Sequence, residues 1–124
     1  MNIIVIGVGR MGQGLSDRLI DEGHSVTVID RDPAKIEHIT TNYDVMALQG
    51  NGADYEVLTE AGAEDADLLL AVTDDDAVNM LCCLTARKLG ISNTVARVRT
   101  MEYFRQLVFF KEELGLSLVF NPEH

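Results

Sequence analysis

Residues 2–23 read NIIVIGVGRMGQGLSDRLIDEG, and the fold is decided there. Residues 2–6 form a short, continuously apolar run, the pattern of a strand covered on both faces. Met11, Leu15 and Leu19 then recur at helical spacing, and Gly23 stands where a C-terminal cap belongs. Between strand and helix lie Gly7, Gly9 and Gly12, spaced G-x-G-x-x-G. Alone that spacing is a weak signal, because 10 of the 124 residues are Gly and turns need them anyway. Here it meets the context test, with a strand before it and a helix after. Gly7 permits a tight turn, Gly9 lets backbone approach a pyrophosphate, and Gly12 allows close helix–strand packing. The N–H groups at the helix start, and its dipole, favour an anion.

The alternation continues along the chain. SVTVID (25–30) reads as a second strand that ends in an acid. Asp32 as N-cap and Pro33 at the first helical position open the next helix. DVMAL (44–48) is a third strand, and Asp54 caps a short helix through Glu60 that Gly62 closes. ADLLLAV (66–72) is a fourth strand, followed by a helix from Asp74 to Leu89 that Gly90 ends. TVARVR (94–99) is a fifth strand, 101–114 a helix closed by Gly115, and LSLVF (116–120) a sixth strand. Strand–helix alternation with short connections predicts a parallel sheet with right-handed crossovers. The expected class is α/β: a Rossmann-like, doubly wound, six-stranded parallel sheet in the order 3-2-1-4-5-6. No linker, repeat or low-complexity segment interrupts residues 1–124, which read as one domain. NPEH (121–124) follows the last strand without a closing helix, and on this reading the domain is excised from the N-terminus of a longer protein.

Charge narrows the partners. The formal net charge is -10, so nucleic acid and anionic membrane surfaces are repelled over most of the surface. No apolar stretch approaches the roughly 20 residues that span a bilayer, so no direct membrane insertion is expected. Cys82 and Cys83 are adjacent and cannot staple distant segments, a usage that fits a reducing, cytosolic compartment. The chain starts in a strand-like run without a signal-peptide pattern, and a soluble intracellular protein is expected.

In an open parallel sheet the site lies outside the carboxyl ends of the strands. Asp30 falls there, 18 residues after Gly12. A carboxylate at that point accepts from both ribose hydroxyls and repels a 2′-phosphate, so NAD(H) or an adenine nucleotide is expected, not NADP(H). Arg31 beside it is expected to face solvent. Gly50, Asn51 and Gly52 end the third strand, and Asn51 suits either an adenine edge or a plain turn. Thr73 and Asp74 end the fourth and either cap the helix, line the site, or do both. Asp74, Asp75 and Asp76 at a helix start read as complements of the dipole, and no metal site is assigned. Arg97 and Arg99 alternate with apolar residues and so share one strand face, where two cations need an anionic partner. A phosphate supplies that partner, as does an Asp or Glu from a neighbouring helix; phosphate is favoured for Arg97. Arg10, inside the glycine loop, either adds charge to a polyphosphate site or is solvated.

Catalytic groups are harder to find. A dehydrogenase needs a proton donor or acceptor near the nicotinamide. His24 sits beside a helix cap, His38 within a surface helix and His124 at the terminus, and the adjacent cysteines read as packing residues. The chain therefore reads as a binder of nucleotides, not an enzyme; the alternative is a detached NAD-binding domain of an oxidoreductase. Two helices carry more apolar surface than one sheet face requires. In 76–89, Val78, Leu81, Cys82, Thr85 and Leu89 make one stripe that Met80, Cys83 and Leu84 extend. In 101–114, Phe104, Leu107, Val108 and Leu114 can face the sheet, leaving Tyr103, Phe109 and Phe110 over. Docking needs only about a 100° stripe, so the surplus predicts a subunit interface.

Five stretches together resemble the N-terminal RCK/KTN (TrkA-N) domains of Trk potassium uptake proteins: IIVIGVGRMG, VTVIDRD, LQGNGADYEVLTEAGAEDADLLLAVTDDDAVNM, VARVRTMEY and FNPEH. The middle stretch is the most specific, because ordinary dehydrogenases share the glycine loop but not L-x-E-A-G-x-x-D-A-D-x-x-x-A-V-T followed by N-M. The resemblance implies a regulatory domain of a peripheral cytoplasmic subunit that gates a membrane potassium channel from the inner face of the cell membrane. It also implies NAD(H) or ATP/ADP as ligand, and a homodimer or higher ring. By position, Gly7, Val8, Gly9, Arg10, Met11, Gly12, Asp30, Gly50, Asn51, Thr73, Asp74 and Arg97 would line the nucleotide. Arg99, and in part Arg10, would meet terminal phosphates. Many relatives have Asp where this chain has Asn51, and Glu123 matches a position that binds a divalent cation in some members.

Overall fold

The computed structural model describes Met1–Glu113 in full, together with the backbone of Leu114 and of Leu118–Phe120. The strands are β1 (Asn2–Ile6), β2 (Ser25–Asp30), β3 (Met46–Gln49), β4 (Leu68–Ala71), β5 (Thr94–Arg97) and β6 (Leu118–Phe120). Between them lie α1 (Arg10–Asp21), α2 (Pro33–Asn42), α3 (Tyr55–Glu60), α4 (Asp76–Lys88), α5 (Met101–Phe109) and α6 (Lys111–Leu114). All strand pairs are parallel. The body of the sheet is five strands in the order β3-β2-β1-β4-β5. Beyond β5 the expected sixth strand is described over Leu118–Phe120, paired Val95↔Leu118, Ala96↔Val119 and Arg97↔Phe120, and the rest of 116–120 lies outside the described residues. The expected helix stop at Gly115 and the NPEH end with Glu123 lie outside the described residues.

β1 sits at the centre, and its continuous apolar sequence follows from burial on both sides. Ile3 and Val5 join Val26, Val28 and Ile39 under α1 and α2. Ile4 and Ile6 join Leu69, Ala71, Cys82 and Cys83 beneath α4 on the other face. The period of two in side-chain direction thus separates one apolar run into two cores. On α1, Met11, Leu15 and Leu19 pack on the first of these, as their spacing predicts.

Several boundaries differ from the sequence reading. Read over 44–48, the third strand is Met46–Gln49; the fourth, read over 66–72, is Leu68–Ala71. The fifth, read over 94–99, stops at Arg97, because the N–H of Arg99 donates to both oxygens of Asp76 at 3.0 Å and not to a strand neighbour. Arg97 and Arg99 therefore do not share a strand face. The helix read over 101–114 breaks into α5 and α6 around Phe110.

The apolar stripe of α4 is also rotated from the one expected. Its buried positions are Asp76, Asn79, Cys82, Cys83 and Ala86, while Leu81 and Leu84 are exposed. Small side chains let the helix approach the sheet closely, and the larger leucines are left outside. On α5, Leu107 is buried and Phe104 half-buried, but Val108 is exposed rather than facing the sheet. Tyr103, Phe109 and Phe110 are exposed, as their surplus suggested.

Candidate functional site

The carboxyl ends of β1, β2, β3, β4 and β5 surround a cleft of about 630 Å³. Its apolar floor comes from Ile6, Ile29 and Val72, and each strand then hands over to a different chemistry at the rim.

At the end of β1 the rim is backbone. Gly7 has a φ of 96°, where a side chain is strained, and a Cβ there would come within 2.8 Å of the Thr73 nitrogen. Gly12 lies so close beneath it that a Cβ would fall 1.7 Å from the Gly7 carbonyl oxygen. Gly9 is different: its φ is an ordinary -70°, and a Cβ would meet no atom of the protein within 4 Å. Glycine at position 9 leaves room on the cleft side, while glycines 7 and 12 answer to the fold itself. α1 begins at Gly9 with no side-chain cap and no acid in its first turn. By contrast α2, α3, α4 and α5 are capped by Asp32, Asp54, Asp75 and Thr100. The first N–H groups of α1 thus have no side-chain cap, the condition under which a helix start binds an anion.

Asp30 ends β2 and serves two neighbours. Its Oδ2 accepts from the Val8 N–H and its Oδ1 from the Asp32 N–H, both at 2.8 Å. The carboxylate is thereby fixed in orientation, and each oxygen keeps a second lone pair for a hydroxyl. Arg31 is exposed as expected, yet it lines the cleft mouth with Lys35. After β3, Gly50 and Asn51 line the wall; the Asn51 Oδ1 accepts from the Ala53 N–H at 3.0 Å, which leaves its NH2 as the donor offered to the cleft.

The ends of β4 and β5 are joined by side chains that the sequence reading missed. Asn79 is wholly buried. Its Oδ1 accepts from the Thr73 N–H (2.9 Å) and hydroxyl (2.7 Å), and its Nδ2 donates to the carbonyls of Thr73 (3.0 Å) and Arg97 (2.9 Å). Asp76, only 7% exposed, accepts from the N–H groups of Arg99 and Thr100. The three consecutive acids therefore have three roles: Asp75 caps α4 through the Val78 N–H, Asp76 braces the β5–α5 corner, and Asp74 meets arginines. One signal was available, since residues 76, 79, 83 and 86 share a helix face. Thr73 and Asp74 are not the cap; they line the cleft, as does Arg97.

Arg97 has a partner from the chain itself: its Nη1 lies 3.6 Å from the Asp74 Oδ1. Its side chain is 13% exposed, and its buried Nε has no hydrogen-bond partner. Because Arg97 also lines the cleft, its guanidinium places a positive charge on that wall.

Of the expected residues, Gly7, Gly9, Arg10, Met11, Asp30, Gly50, Asn51, Thr73, Asp74 and Arg97 come together on the cleft. Val8, Gly12 and Arg99 do not line it: the Val8 side chain is buried, Gly12 packs on Gly7, and the Arg99 Nη1 rests 3.3 Å from Asp74. Among the described residues no three His, Cys, Asp or Glu side chains gather to hold a metal ion, and no helix is long and apolar enough to cross a membrane. Cys82 and Cys83 lie in the core away from the cleft, and burial pushes both thiols up to about 12.

The chain as a whole is similar to known proteins. Over 125 residues the chain is 38% identical to the Trk system potassium uptake protein TrkA of Halomonas elongata, covering 99% of this chain and 27% of that protein. It thus spans little more than a quarter of that relative's length. The TrkA-N domain of the inner membrane protein ybaL from Escherichia coli superposes with a TM-score of 0.85 at 22% identity, over 98% of this chain and 87% of that one. The GsuK channel bound to NAD superposes with a TM-score of 0.81 at 20% identity, over 98% of this chain and 21% of the channel. Residues 3–122 match the family of the TrkA-N domain, and the chain belongs to that family.

Proposed function

We propose that the cleft binds NAD(H) or ATP/ADP and that the chain is the regulatory nucleotide-binding domain of a peripheral cytoplasmic subunit that gates a potassium uptake channel. The observation that carries this reading is the start of α1, bare, uncapped and open beside Gly9, with the oriented carboxylate of Asp30 at the same cleft. The names of the relatives support the potassium system, and the NAD-bound channel of the same fold supports the ligand class.

The backbone of Gly7 to Gly12 would hold the phosphates and Asp30 the ribose hydroxyls, disfavouring the 2′-phosphate of NADP(H). Asn51 would meet the adenine edge and Arg97 a phosphate oxygen. The nucleotide supplies charge and shape to this site, and no reaction is assigned to it. The charged groups on the wall, Asp30, Asp74, Arg10, Lys35 and Arg97 among them, suit recognition of a phosphorylated sugar. Regulation then follows from linkage: two assembly states must bind the nucleotide with different affinity, or the ligand shifts nothing. The exposed apolar residues of α4 and α5, including Leu81, Leu84, Val108 and Phe109, suit a homodimer or ring through which such states differ.

Calorimetric titration with NADH, NAD+, ATP and ADP tests the ligand. Asp30→Ala should weaken binding by about 1–3 kcal/mol, the cost of losing a charged hydrogen-bonding partner. Absence of binding by all four nucleotides would overturn the reading.

A further inference from the structure

We propose that Asp74 is a built-in competitor for the anionic group of the ligand, and that its displacement sets how strongly the cleft responds to ligand charge. The inference rests on the nucleotide reading and adds a specificity-determining residue to it. One oxygen, Asp74 Oδ1, faces two guanidinium groups: Nη1 of Arg97 at 3.6 Å and Nη1 of Arg99 at 3.3 Å. The three partners are held very unequally. The Arg97 side chain is 13% exposed and that of Asp74 82%. Arg97 is confined in the cleft wall, with its Nη1 also 3.5 Å from the Val72 carbonyl and its Nε unpaired. Asp74 sits in water at the rim, where an ion pair of this length contributes little. The cation therefore stays and the carboxylate can leave.

What would take its place must be negative. Arg97 and the uncapped start of α1 border the same cleft, so a ligand phosphate there gains both, whereas Asp74 at its present position repels it. Water readily solvates a displaced exposed carboxylate, so the exchange favours ligands that bring more charge than the one carboxylate they remove. Arg99 does not line the cleft, and Asp74 is its side chain's bridge to Arg97. Displacement consequently separates Arg99 from the cleft wall, at the corner that leads into α5.

The test compares the protein with Asp74→Asn, which keeps size and removes charge. Affinities for adenosine, ADP, ATP and inorganic pyrophosphate are measured by calorimetry, with urea unfolding as a control on folding. Asp74→Asn is expected to tighten ATP about three- to fivefold, ADP less, and adenosine not at all, as loss of a screened charge contact predicts. Adding Arg97→Gln to Asp74→Asn should abolish the gain. Equal changes for adenosine and ATP, no change for ATP, or weaker ATP binding would each overturn the exchange while leaving the nucleotide reading intact. If neither protein binds adenosine, ADP or ATP, the ATP/ADP part of that reading falls and NAD(H) is decided by the four-nucleotide titration above. Pyrophosphate then decides the exchange: tighter binding by Asp74→Asn upholds it, and unchanged binding overturns it.

Discussion

β1 and β4 are hydrogen-bonded neighbours that each run into a helix at the same edge of the sheet, and the two corners are built from opposite materials. The first, Gly7 to Gly12, is backbone: no side chain caps α1, and Gly9 faces open space. The second, Thr73 to Asn79, is filled with the chain's own polar groups. Asp75 caps α4, Asn79 ties Thr73 to Arg97, and Asp76 braces the next corner. Both corners obey the same rule, that polar groups at the end of an element need partners. One meets it internally. The other leaves the need unmet toward the cleft, and an open corner beside a rigid one is what a binding site requires: room on one wall and fixed geometry on the other.

The contrast can be broken in three places. The largest effect is expected at Gly12→Ala, whose new methyl would collide with the Gly7 carbonyl; urea unfolding should show a loss of about 4 kcal/mol or failure to fold. Gly9→Ala is its control, with stability within about 0.5 kcal/mol of the parent, since the added carbon meets nothing. Equal losses from the two would mean that the first corner is as closed as the second.

Next comes Asn79→Leu, which keeps the branching and heavy-atom count of the side chain and strips four hydrogen bonds from the second corner. Leaving the Thr73 N–H and the Thr73 and Arg97 carbonyls unpaired should cost about 3 kcal/mol, read from the same unfolding curves. A loss below about 1 kcal/mol would show that the network is dispensable.

The smallest effect lies deeper on α4. Burial raises the Cys82 and Cys83 thiols from the ordinary 9.0 to about 12. The unfolded chain ionises first, so the stability these thiols contribute is complete below pH 9 and is lost as pH rises from there toward 12. Native protein at pH 8 should alkylate at least about 100-fold more slowly than unfolded protein. Rapid native labelling would place α4 off the sheet and dissolve the contrast.

Much of this was legible locally. β1 was read from an unbroken apolar run and α1 from a repeat of Met and Leu. Asp32 and Asp54 were read as caps because a cap bonds within its own turn. Asp30 was legible as a cleft residue from its distance to the glycine loop. Its second task, holding the Val8 N–H across the β1–β2 boundary, was not. Misreadings gathered where partners are distant in sequence. The end of β5 depends on Asp76, more than twenty residues earlier, and the docking face of α4 depends on how near the helix must come to the sheet. Hydrophobicity ranks Leu81 and Leu84 above Ala86, but the contact selected small side chains, and the leucines went outside.

The sequence by itself determined the strand–helix alternation, the parallel sheet and a glycine corner suited to phosphate, because periodicity, capping and glycine conformation act over a few residues. Tertiary structure alone decided which acid caps, which is buried and which meets Arg97 and Arg99. Adjacent aspartates carry the same charge and the same local propensity, and only the groups folded against them make them different.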